Sequence, residues 1–244
     1  MSQTTDQPET VRPLSLGARF LGVITSPRET FNAVVAHPRW LLMAVLVIVL
    51  TGGAQLWFQS TEVGKQVTLD ATVRQMESWG VKLSDEAYEQ TRQGIMDPPP
   101  WRLGLSVAAM AIFPPVMWAL IAGVIYLVFG VFTGGTATFR QIYAVLVHST
   151  VISAVGALFT TPLNYVREAT SATNLAVFLP FLPEGSFMAR LAGMVDLFLV
   201  WWLVVLSIGI GAAYRKKTGG VAVVVFGFYA LIAIAIAAFQ AARS

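Results

Sequence analysis

Five long apolar runs separated by polar stretches set the pattern of this chain, and they predict five transmembrane helices. The runs lie at about 40–58, 103–132, 139–163, 187–214 and 220–239. Trp40 and Trp57 bracket the first, seventeen residues apart, which is roughly 26 Å of helix. That nearly spans a hydrocarbon core of about 30 Å, so the two indoles are expected to mark its faces. The second run is long and carries Pro114-Pro115. Their missing amides free the carbonyls of Met110 and Ala111 and predict a kink. Gly134-Gly135 separates the second run from the third. Arg215-Lys216-Lys217 with Gly219-Gly220 predicts a tight turn between the last two, with Tyr214 and the three basic residues as interfacial anchors.

The polar stretches carry their own patterns. Residues 1–12 are polar and expected to be disordered. Residues 13–38 predict two short amphipathic helices lying in the membrane interface. The first places Leu14, Leu16, Phe20, Leu21, Val23 and Ile24 around Arg19. The second opens at Ser26-Pro27-Arg28-Glu29, with Ser26 as cap, Pro27 at the first helical position and Glu29 closing a capping box; Pro38 ends it. Residues 59–101 predict a polar, acidic, helical loop. One helix there carries Val63, Val67, Val73 and Met76 and stops at Gly80; another starts at Ser84-Asp85-Glu86, whose carboxylates suit a helix N-terminus. Asp97-Pro98-Pro99-Pro100 is a stiff extended connector leading to Trp101 and Arg102, two further interfacial anchors.

Composition agrees with membrane placement. Of 244 residues, 56% are hydrophobic and 12% charged, against roughly 45–50% and about 25% in ordinary globular domains. The fold class is therefore all-α, a polytopic transmembrane helix bundle with the bilayer as its first partner. The net charge of +3 comes partly from residues flanking the spans and implies no nucleic-acid partner. Cysteine is absent, which removes disulfides, thiolate catalysis and cysteine metal sites. Lys and Arg divide eight against eight between the two sides. The Arg-Lys-Lys cluster abuts the membrane, whereas much of the opposing charge lies far from a span. This favours a cytoplasmic N-terminus, with the C-terminus on the opposite side.

No catalytic signature occurs: there is no H-E-x-x-H helix, G-x-S-x-G elbow or phosphate-binding loop, and no cofactor is implied. Polar groups inside the spans are more informative, because an ionisable side chain there needs a partner. Asp196 falls about nine residues into the fourth run and His148 about as far into the third. In antiparallel spans their depths would differ by about 5 Å, so a contact or a shared water is expected. A polar tie between helices outweighs a proton or ion relay, since no further acidic groups continue a path. His37, beside a proline, is expected in a solvated loop. Gly130-x-x-x-Gly134 and Ser207-x-x-x-Gly211 permit close helix approach, within one chain or between copies. The oligomeric state stays open.

Several stretches together resemble the Yip-one domain family of integral membrane proteins. These are Ser26-Pro27-Arg28-Glu29-Thr30-Phe31 before the first span, and Gly134-Gly135 followed by Phe139-Arg140-Gln141. Val195-Asp196-Leu197-Phe198, then Trp201 and Ser207-Ile208-Gly209, complete the set. The resemblance implies five spans and a cytosolic N-terminus. The chain lacks the long N-terminal region and the Asp-Leu-Tyr-Gly-Pro motif of the eukaryotic branch, which serves Rab recruitment. It looks like a prokaryotic member, which implies the cytoplasmic (inner) membrane of a bacterium. A non-enzymatic scaffold, adaptor or membrane-organising protein is expected, with a protein partner taken by the 59–101 loop or the N-terminal helices. The alternative is a small transporter or channel using Asp196 and His148.

Overall fold

A computed structural model describes residues 13–131, 134–169, 173–183 and 185–242; the expected disorder of residues 1–12 lies outside them. The described residues are helical with no strand. The chain opens with a helical hairpin, α1 (Leu16–Thr25) and α2 (Pro27–Ala36). Ser15 caps α1 by accepting from the Ala18 amide at 3.3 Å. Pro27 starts α2, but the Ser26 side chain makes no cap bond. Ser26 serves the corner with its backbone instead: its amide donates to Gly22 at 2.8 Å, and its carbonyl accepts the Thr30 hydroxyl at 3.0 Å.

Four helices are long and apolar enough to cross a bilayer: Leu41–Ser60, Pro100–Val131, Phe139–Arg167 and Thr218–Ala241. The first is α3 (Leu41–Ser60). Next come the polar helices α4 (Glu62–Ser78) and α5 (Asp85–Met96), each capped by a hydroxyl, Thr61 and Ser84 respectively. Then α6 (Pro100–Tyr126) runs on through Pro114 and Pro115 and continues into a single π-helical turn at Leu127–Val131.

The third crossing is the centre of the bundle. It consists of α7 (Phe139–Ser149) and α8 (Val151–Arg167), joined at Thr150. Every residue from Ile142 to Ile152 is buried, right round the helix, as happens only when other helices surround it. The last segments are α9 (Phe187–Met194), α10 (Leu197–Ala213) and α11 (Thr218–Ala241). The expected fourth span, 187–214, is therefore not one helix: it breaks at Val195-Asp196, because Asp196 starts a new helix rather than continuing an old one. That leaves α10 with 17 residues, shorter than the four spans.

The N-terminal hairpin packs on the other helices. Its apolar stripe is covered by the bundle: α2 packs on α10 and α7, and α1 on α7 and α8. Val23 and Phe31 have no exposed surface and Val34 has 1%. An amphipathic stripe gains as much from packing on protein as from lying in lipid.

Candidate functional site

The polar centre of the molecule lies where the hairpin meets α7. His148, fully buried, places Nδ1 2.7 Å from the Ala144 carbonyl. A carbonyl only accepts, so Nδ1 carries the hydrogen and Nε2 is left as an acceptor. Arg19 Nη1 donates to it at 3.3 Å, and also to the Arg39 carbonyl at 2.5 Å. One guanidinium thus ties α1, the α2–α3 joint and the central helix together. The fastening is extended by Gln141, whose Nε2 donates to the Val35 carbonyl at 3.1 Å while its Oε1 completes the α7 capping box. Trp40 sets its ring edge-on to Tyr143, centroids 4.9 Å apart.

Phe31 seats α2 at the same end of the bundle. A Cβ built on Gly209 would fall 2.5 Å from Val145 Cγ1 and 3.1 Å from two Phe31 ring carbons. Only hydrogen fits where α2, α7 and α10 converge. A side chain on Gly135 would likewise strike the Tyr214 ring. Tyr214 therefore corrects its reading as an interfacial anchor: it is buried to 7% exposure and stacked on Phe129, centroids 5.8 Å apart. The Arg215, Lys216 and Lys217 beside it are exposed.

Asp196 lies elsewhere. It is the cap of α10, with Oδ1 accepting from the Phe198 and Leu199 amides at 2.9 and 3.0 Å. The Thr173 hydroxyl donates to its other oxygen, and backbone bonds Leu175 to Val195 (2.9 Å) and Leu197 to Thr173 (3.0 Å) hold the two strips together. Close approaches of Gly209 to Val145 and of Gly156 to Phe198 fix the antiparallel register of α10 on the central span. Asp196 is two residues before Phe198 and His148 eight before Gly156, offsets that add in antiparallel helices, so about 15 Å of helix separates their levels. The expected Asp196–His148 contact is not formed. Each group has its own partners, and the arrangement gives no support to a relay between them.

The remaining singled-out residues divide between lipid-facing and structural roles. Trp57 and Trp101 are 49% and 67% exposed, and Trp57 also leans on Tyr165 at 5.5 Å. Arg102 is exposed and donates to the Gly94 carbonyl, fastening α5 to α6. The Pro115 carbonyl accepts the Tyr143 hydroxyl at 3.3 Å, beside the break that the prolines make in the α6 ladder. His37 closes α2 through its amide, bonded to Ala33 at 3.0 Å. No group of three His, Asp or Glu side chains gathers as a metal site among the described residues.

The role of Arg19 is not apparent in the sequence, where it reads as one charge in an amphipathic pattern. Its partner is 129 positions away. Several stretches that carry the family resemblance meet other parts of the fold: Phe31 reaches α10 at Gly209, Gly135 meets Tyr214, and Gln141 holds Val35. The family model for the Yip1 domain matches residues 21–239. Membrane protein YknW of Bacillus subtilis is 24% identical over 227 residues, covering 87% of each chain. No solved structure matches.

Proposed function

This chain belongs to the Yip1 domain family, and we propose that it acts in the bilayer as a non-catalytic scaffold or adaptor that takes a protein partner through its α4–α5 lobe. One observation carries the reading. The twelve-residue helix α5 has no buried residue, yet it is amphipathic, with Ala87, Thr91 and Ile95 half-covered on one side. An isolated helix of this length is marginal in water and draws its stability from a packed face. Its other face is acidic, with Asp85, Glu86 and Glu89. Arg92 hydrogen-bonds Glu89 at 2.8 and 2.9 Å and holds that carboxyl below its usual range.

The placement proposed with it has α10 as a fifth crossing. Seventeen residues reach about 26 Å, just short of a typical core, and thinning or flanking anchors accommodate the shortfall. The basic end then faces the cytoplasm of a bacterium and the α4–α5 lobe faces the opposite side.

Photo-cross-linking tests the partner. A photoreactive residue at Tyr88 on α5 is expected to give one discrete, reproducible protein adduct in native membranes, lost on Glu86→Lys/Glu89→Lys. The same probe at Leu231, 68% exposed on the apolar α11, is expected to give none. Indistinguishable patterns from the two positions would count against the scaffold reading.

A further inference from the structure

Three arginines, Arg19, Arg39 and Arg140, line one cleft of about 420 Å³ with Pro38, Trp40, Leu41 and Leu42. They reach it from α1, from the α2–α3 joint and from the first turn of α7. Among the described residues none has a carboxylate partner; the ion pairs there are Lys65–Glu62 and Arg92–Glu89, both on the α4–α5 lobe. At this end of the bundle Glu29 is the sole described carboxylate, and it is exposed on α2.

Arg19 makes the strongest demand. It is 7% exposed and its guanidinium stays charged. Nη1 is satisfied by the Arg39 carbonyl and His148, both neutral, while Nε has no partner. A buried cation is tolerated when a counter-charge and hydrogen bonds compensate for lost water. Here the surrounding charges are also positive; burial first, and Arg39 second, press the Arg19 pKa downward. Among the described residues, no anion faces the cleft.

We infer that the cleft binds an anionic glycerophospholipid, with the three guanidinium groups on its phosphate and an acyl chain along Leu41 and Leu42. A guanidinium fork matches phosphate oxygens in a bidentate way that an ammonium does not. Trp40 sits at the mouth of a membrane span, the level at which headgroups meet acyl chains. Leu41 and Leu42, 60% and 62% exposed at the start of α3, continue the cleft toward hydrocarbon. A free phosphate ester would use the arginines and leave that apolar wall unused.

Thermal melting of the full chain in neutral detergent, titrated with short-chain phosphatidylglycerol, phosphatidylcholine or glycerol phosphate, tests this. Phosphatidylglycerol is expected to raise the melting temperature saturably, and the other two are not. Arg39→Gln/Arg140→Gln, which changes two exposed side chains and so leaves the fold in place, is expected to weaken the phosphatidylglycerol response roughly thirtyfold in midpoint. Arg19→Met is expected to lose that response and to melt somewhat lower in phosphatidylcholine, because its bonds to His148 and the Arg39 carbonyl go with it. Equal responses to the two lipids, or an undiminished response in the double variant, would overturn the assignment. A glycerol phosphate response matching that of the lipid would overturn the lipid as occupant.

Discussion

Phe31→Ala is expected to destabilise the bundle by about 3–5 kcal/mol and to release the N-terminal hairpin. Phe31 has no exposed surface and lies in the contact of α2 with α7 and α10. Truncating it removes the apolar burial and leaves a cavity whose walls belong to three separate helices, so little collapse can repair it. The remaining hold on the hairpin is polar: Arg19 to His148 and to the Arg39 carbonyl, and Gln141 to the Val35 carbonyl. Those bonds each contribute about 1 kcal/mol net, too little to offset the loss. Limited proteolysis should cut within residues 16–36 in the variant and spare them in the parent, and melting in detergent should drop accordingly.

The reciprocal change, Gly209→Leu, is expected to cost about 1–3 kcal/mol or more. Its Cβ alone would fall 2.5 Å from Val145 Cγ1 and 3.1 Å from the Phe31 ring, before any further side-chain atom is placed. The backbone of α10 must shift, or α2 must lift. The two variants are coupled, because Phe31→Ala opens the volume into which the Gly209→Leu side chain would project. The double variant should therefore melt higher than the sum of the single losses predicts. Strict additivity would mean that the two residues do not share one contact.

The spans are legible because a lipid-facing helix has to be apolar along its whole length, and the runs around α3, α6, the α7–α8 helix and α11 say so without further context. The break at Asp196 escapes a reading by apolar runs, although a signal is present. An aspartate directly before Leu197-Phe198-Leu199-Val200 is a helix-start pattern. Counting it within a single apolar run over 187–214 conceals that. The burial of the N-terminal hairpin is hidden for a different reason. The stripe Val23, Phe31, Val34 is the same whether lipid or protein covers it, and only the facing glycine at 209 decides.

Tyr214 shows a similar ambiguity. An aromatic residue beside Arg215-Lys216-Lys217 matches an interfacial belt, and the ring packs inward because Gly135 leaves room beneath it. The Arg19–His148 contact has no local signature at all. It joins residues whose proximity is created by the hairpin docking on the central span. Composition marks such residues as costly in a membrane and says nothing about which will meet.

Cysteine accessibility tests the central placement most directly, since the chain has no cysteine of its own. Single cysteines replacing Ser15, Ser84, Lys216 and Ala242 would be labelled with a membrane-impermeant maleimide in intact bacterial cells and again after permeabilisation. Five crossings with the basic end inside predict that Ser84→Cys and Ala242→Cys react in intact cells, while Ser15→Cys and Lys216→Cys react only after permeabilisation. Labelling of Ala242→Cys on the same side as Ser15→Cys would show an even number of crossings and contradict the account.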